Sequence, residues 1–241
     1  MLRGMARLAR VAIVNVPHHV TQRGNARQFL LASDAERRVY LELLRHYVSL
    51  YDLSLLGYCL MSNHVHLVVV PHQDDALATA MKQTHGRYAS YWNAEHGSSG
   101  HVWQGRFYSC PLDNAHLWMA LRYAERNPVR AGLVGSAEMW EWSSAAVHCG
   151  LGEADACLEL EMWSKRWSTA AWREYLAGGE REAEVVAIRQ CTHTGRPLGD
   201  TEFVRSLEQV TLRRLAPQKG GRPGKASGDA RQKTMAFEGE S

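Results

Sequence analysis

The sequence predicts an α+β fold, a ferredoxin-like split βαβ antiparallel sheet followed by a C-terminal helical extension. Three observations point there. Residues 63–70 put Val65, Leu67 and Val69 on one side of a strand and His64 and His66 on the other; two stretches of helical period, near residues 33–51 and 74–95, lie between strand-like segments; and tryptophans recur in a helical texture after Met139. Alternation with a period of two marks a strand, and apolar recurrence at about 3.6 residues marks a helix.

In chain order, Val11 to Arg23 reads as a first strand. Ser33-Asp34-Ala35-Glu36 supplies a cap for a helix reaching Tyr51, with Val39, Leu43, Leu44, Tyr47 and Leu50 as its apolar stripe. Leu53 to Leu60 and Asn63 to Val70 follow as strands, the second ended by Pro71. Asp74 to Glu95 is helical through Leu77, Met81 and Tyr88, and the Gly- and Ser-rich loop at 96–100 leads to a strand over Val102–Pro111. A helix begins at Asp113, with Leu117, Leu121 and Ala124 as one stripe and His116, Ala120, Tyr123 and Asn127 as the stripe beside it. Pro128 disfavours continued helix at Asn127, which places Asn127 in the last turn. The order is β-α-β-β-α-β and then helix, with two helices on one sheet face and the His pair on the other. Trp140, Trp142, Trp163, Trp167 and Trp172 read as packing of the extension rather than as base-stacking platforms, and 180–189 and 200–215 as further helices. The chain divides into residues 1–135, the helical Trp-rich extension 136–215, and the basic tail 216–241, which lacks periodicity and reads as disordered.

Composition narrows the class. At 45% apolar, 241 residues suffice for a proper core. No apolar run reaches the 18 or so residues of a membrane helix, and the N-terminus has no signal-peptide pattern, so the expectation is a cytoplasmic protein without membrane attachment. Five scattered cysteines without a C-x-x-C pair argue against a disulfide framework or a zinc ribbon. A net charge of +3 is too mild to suggest nucleic acid, so any basic surface must be local.

His64 and His66 share one strand face, which aims two imidazoles at one point. Such a pair holds a metal ion or is hydrogen-bonded and partly exposed. Tyr123 and Asn127, four apart, are neighbours on a helix face; alone they read as a core-edge aromatic and a helix terminator. Neither a P-loop nor a Rossmann glycine pattern is present, so no nucleotide cofactor is expected.

Five separated motifs stand in one order: His19-Val20-Thr21-Gln22-Arg23-Gly24-Asn25; Tyr58-Cys59-Leu60-Met61-Ser62-Asn63-His64-Val65-His66; Gly86-Arg87-Tyr88; Trp103-Gln104-Gly105-Arg106-Phe107; and Tyr123 through Asn127-Pro128-Val129-Arg130-Ala131-Gly132-Leu133-Val134. In these motifs the sequence resembles the single-tyrosine HUH transposases, and within them the REP-associated tyrosine transposase branch, over residues 12 to 148. The resemblance implies an HUH active site in the predicted sheet, with residues 1–135 as the catalytic domain. His64, His66 and Asn127 would be the metal ligands, Tyr123 the nucleophile, and Mg(II) or Mn(II) the ion. Mobile relatives often have Gln at the amide position; Asn127 is the form associated with the REP-associated branch. The implied activity is metal-dependent cleavage and strand transfer of single-stranded and hairpin DNA, REP-like palindromes included, through a covalent 5′-phosphotyrosine. A catalytically idle palindrome-binding protein of the same fold is the alternative, and both monomer and homodimer are compatible.

Arg23, Asn25 and Arg27 after the first strand, with Lys82, Arg87, Arg106 and Arg130, are the candidate DNA contacts; Trp92 and Trp103 would stack unpaired bases. Arg122, Arg126 and Arg130 are candidates to ease loss of the tyrosine proton, although the first two also suit a solvated face. In the tail, Arg222 within Gly221-Arg222-Pro223 suits a minor-groove arm, against a simple solubilising end.

Overall fold

The computed structural model describes residues 11–153 and 157–216. Four strands, β1 (His18–Arg23), β2 (Leu53–Leu60), β3 (His64–Pro71) and β4 (Tyr108–Pro111), form one sheet in the order β2-β3-β1-β4. Every pairing is antiparallel, which with the intervening helices gives the split βαβ topology. Helices α1 (Asp34–Leu50) and α2 (Ala76–Glu95) cover one face; Val20, Val65, Leu67 and Val69 meet them in a continuous apolar core. Ser33 caps α1 through a reciprocal capping box with Glu36.

The second face is also covered. Helix α3 (Asn114–Glu125) lies across it, placing Leu117, Ala120, Leu121 and Ala124 against Leu56, Val68 and Val70. Gly57 permits this approach: a Cβ there would stand 2.2 Å from Leu121 Cδ1. Beyond α3 come the short α4 (Asn127–Arg130), α5 (Ala145–His148) and α6 (Glu161–Ser164), then α7 (Thr169–Ala177), α8 (Glu182–Thr194) and α9 (Thr201–Thr211). The extension also closes the sheet edges. Leu60 N and Glu159 N donate to Trp142 O and Leu55 O beside β2, while Leu198 N donates to Pro111 O beside β4. Covered edges cannot recruit another chain.

Several elements depart from the predicted ones. The first strand is confined to His18–Arg23, because Asn15 has φ 59° and Pro17 lacks a donor; Val11 packs instead with Leu207 and Leu215. The fourth strand shrinks to Tyr108–Pro111, since the chain bends at Gly105, φ 137°. On α1 the buried stripe is Tyr40, Leu41, Leu44 and Val48, about one residue round from the expected one; Leu50 is exposed. Tyr40 sets that rotation by packing edge-on against Tyr88 and Trp103. Trp142, Trp163 and Trp172 are buried, and Trp140 Nε1 donates to Leu60 O, so these extension tryptophans pack. All five cysteines are free. No helix among the described residues is long and apolar enough to cross a membrane. Residues 217–241, with Arg222, lie outside the described residues.

Candidate active site

Cross-strand register assembles the site. β1 pairs with β3 so that Thr21 lies opposite His66 and Arg23 opposite His64, and directly opposed residues share a face. His19, Thr21 and Arg23 therefore stand beside the His pair, under the C-terminal end of α3. Together with Arg27, Tyr123, Asn127, Arg130 and Arg189 they line a cleft of about 680 Å³. Tyr123 presents its ring edge-on to His19 and to His66, with centroids 5.7 and 5.4 Å apart.

The imidazoles are held by their Nδ1 atoms. His64 Nδ1 lies 2.6 Å from Asn63 Oδ1; a carbonyl oxygen only accepts, so Nδ1 carries the hydrogen and Nε2 keeps the lone pair. His66 Nδ1 is 2.9 Å from His19 Nε2, and His19 Nδ1 is 2.7 Å from Thr192 Oγ1 on α8. With His66 donating along that chain, its Nε2 is bare as well. Hydrogen bonding at the far nitrogen is how ligating histidines are oriented.

Burial keeps these rings neutral. It lowers His64 to about 4, aided by the Arg23 and Arg130 charges and opposed by a hydrogen bond with Asn127. Burial lowers His19 to about 3, and pushes His66 well below its usual range with help from the neighbouring His64 and His19. Neutral imidazole is the ligand form. Among the described residues no group of three or more His, Cys, Asp or Glu is arranged to hold a metal ion. The donors that line the cleft together are two imidazoles and one amide, those of His64, His66 and Asn127. Such an incomplete mixed shell suits Mg(II) or Mn(II) with open positions better than a closed structural zinc.

Asn127 opens α4 rather than ending α3, because the helix breaks at Arg126 and restarts with Pro128 in its first turn. The break is fixed from behind. Glu125, fully buried, accepts from Ser144 Oγ at 2.5 Å, His148 Nδ1 at 2.6 Å and Trp172 Nε1 at 2.9 Å, fastening the end of α3 to the extension. Of the three candidate arginines only Arg130 reaches the tyrosine: its guanidinium lies 4.1 Å from the ring centroid while pairing with Glu180 at 2.7 Å. Arg122 is buried against Tyr175 and Glu184 instead of facing solvent, and Arg126 binds Leu176 O and neighbours Glu180.

The proposed DNA contacts divide into groups. Arg23 and Arg27 line the cleft, with Asn25 exposed beside them. Lys82 and Arg106 line a separate groove between α2 and the loop before β4, and Arg87 is exposed on α2 outside both. Trp103 is buried, its Nε1 donating to His85 O, so it is not available as a stacking platform; Trp92 stacks on His96. Sequence reasoning missed several cleft residues. His19 continues the alternation that exposed Thr21 and Arg23, a usable signal, whereas Arg189, Thr192 and His193 arrive on α8 without a local one.

The profile of the IS200-like transposase family matches residues 12–127. Over this segment the chain resembles the IS200-like transposases. The three elements that carry Tyr123, His64, His66 and Asn127 begin within the match, whereas Arg189 and Thr192 lie beyond it. No curated protein sequence matches the chain. Among solved structures, a REP-associated tyrosine transposase bound to a REP hairpin superposes with TM-score 0.51 at 19% identity, covering 65% of this chain and 96% of that one. At that identity the likeness establishes the shared fold. A candidate transposase from Deinococcus radiodurans R1 has TM-score 0.36 at 15% identity, covering 50% and 96%. The tRNA(His) guanylyltransferase of Saccharomyces cerevisiae has 0.39 at 8%, covering 82% and 86%. Neither of these two is near enough to inform function.

Proposed function

We propose that this protein is a transposase-type, metal-dependent, cytoplasmic endonuclease and strand transferase of single-stranded DNA beside a hairpin, working through a 5′-phosphotyrosine at Tyr123. The observation that carries the reading is the convergence of Tyr123 with His64, His66 and Asn127 in one cleft rimmed by Arg23 and Arg27. Hairpin DNA is proposed as substrate because the similar REP-associated transposase is bound to one. Both monomer and homodimer are compatible with the proposed reaction.

His64, His66 and Asn127 would hold Mg(II) or Mn(II), which when bound supplies Lewis-acid polarisation of a phosphoryl oxygen. Arg23 and Arg27 bind backbone phosphates and fix the strand's register. The packed ring of Tyr123 aims its hydroxyl at the phosphorus. The Tyr123 Oη–P bond forms as the P–O3′ bond breaks; the phenol proton passes to solvent and the departing 3′ oxygen takes one up. The ester conserves the phosphodiester's energy, so a second 3′ end can reverse the step on another strand.

Incubating the protein with labelled hairpins bearing single-stranded flanks should give a covalent adduct and a free 3′-hydroxyl product with Mn(II), and neither with EDTA. Asn127→Ala should slow cleavage more than it weakens hairpin binding. Tight hairpin binding with no cleavage under any metal condition would instead establish a catalytically idle palindrome binder.

A further inference from the structure

Arg189 approaches the proposed nucleophile from outside the family segment. It stands on α8 and its Nε donates to Tyr123 Oη at 3.2 Å. Helix spacing puts Arg189, Thr192 and His193 on one face, and that face is anchored. Ile188 is buried, Thr192 bonds His19, His193 stacks on Tyr108 at 5.0 Å, and Glu184 pairs with Arg122 at 2.6 Å. The two arginines at Tyr123 differ in their partners. Arg130 covers the ring but is neutralised by Glu180, whereas Arg189 touches the hydroxyl and has no carboxylate partner among the described residues. Its side chain also lines the cleft that holds His64, His66 and Asn127. A guanidinium fork presents five donors in a plane, enough to keep Oη and still reach a phosphoryl oxygen.

We propose that Arg189 is a catalytic residue supplied by the C-terminal extension: it holds Tyr123 Oη and binds a non-bridging oxygen of the scissile phosphate as the Oη–P bond forms. The inference rests on the cleavage reading above. Negative charge on that phosphate is redistributed during the displacement, and a fixed, unneutralised cation at the attacking oxygen stabilises it where water would have to reorganise. The other charged or titratable groups facing the phenol are His19 on β1, His66 on β3 and Arg130 on α4. None of these touches the hydroxyl oxygen.

The test is single-turnover cleavage of a labelled hairpin by the full chain and by Arg189→Gln and Arg189→Lys, with hairpin affinity measured separately. Arg189 is exposed, so both variants should fold, which thermal melting checks. Arg189→Gln should cut cleavage at saturating DNA by about 10²- to 10³-fold, the loss typical of one preorganised donor, with affinity changed far less. Arg189→Lys should recover part of the rate, because charge returns without the fork. A stereopure phosphorothioate at the scissile position should slow the wild type more than Arg189→Gln for one isomer. Wild-type adduct formation with an equally fast Arg189→Gln overturns the assignment alone, as does a defect confined to affinity. Absence of any adduct from the wild type overturns the cleavage reading and this inference together.

Discussion

Val20, Val65, Leu67 and Val69 on one sheet face contact α1 and α2 through hydrocarbon, whereas on the other face His19, His64 and His66 lie among Val68, Val70 and the underside of α3. Both faces bury their side chains, yet burial does different things. On the first it is the source of stability. On the second it strips water from imidazoles, so each ring needs a partner: His64 has the adjacent Asn63, while Thr192 and Asn127 come from distant parts of the chain. Stability and function should therefore separate by face, and substitutions can break or sharpen that separation.

The widest separation is expected between neighbours on one strand. His66→Ala should abolish cleavage, while Leu67→Ala should retain the cleavage rate per folded molecule but lose about 2–5 kcal/mol of stability. Denaturant melts alongside single-turnover assays decide it, and the contrast fails if Leu67→Ala loses activity at temperatures where it is fully folded.

Glu125 is the joint between the faces' logics, a buried carboxylate serving three donors. Glu125→Ala leaves His148 Nδ1 and Trp172 Nε1 unpaired and should cost about 3 kcal/mol or more. Because the same carboxylate fixes the end of α3, cleavage should also fall in molecules that remain folded. A variant with normal melting would remove the joint from the description.

Acid provides a smaller and graded test. His18 accepts from Ile13 N through Nε2 and donates to Val16 O through Nδ1, an arrangement only the neutral ring allows. Burial lowers it to about 4 against an ordinary 6.5. Between those values the unfolded chain binds a proton that the folded chain refuses, so stability is full above about pH 6.5 and declines as the pH falls toward 4. His18 alone contributes up to about 3 kcal/mol to that decline. Urea midpoints in EDTA across this range should fall with decreasing pH, and less steeply for His18→Gln; a flat profile would mean that the ring is not buried neutral.

The same contrast explains what could be read from the sequence. Strands β2 and β3 were legible because alternation and the boundary at Pro71 are local properties, and His64 with His66 followed from that alternation. Tyr123 and Asn127 were legible as a pair at helical spacing, although only the chain break at Arg126 shows that they belong to two helices. The long first strand was misjudged because Asn15 and Pro17 interrupt an apolar run without changing its hydrophobicity. Trp103 was misjudged because the Trp103-Gln104-Gly105-Arg106 motif does not say which side chains turn inward. Arg189 and Thr192 could not be found at all: their place follows from how α8 packs on β4 and β1, a long-range choice that no window of sequence encodes.

The central claim is that the histidine face makes Tyr123 the nucleophile. Its most direct measurement is peptide mapping by mass spectrometry of the protein after reaction with a hairpin substrate and Mn(II). A 5′-phosphoryl DNA adduct on the peptide containing Tyr123, absent from Tyr123→Phe, is the predicted result. An adduct on Tyr88, Tyr91 or Tyr108, or one that persists in Tyr123→Phe, would contradict it.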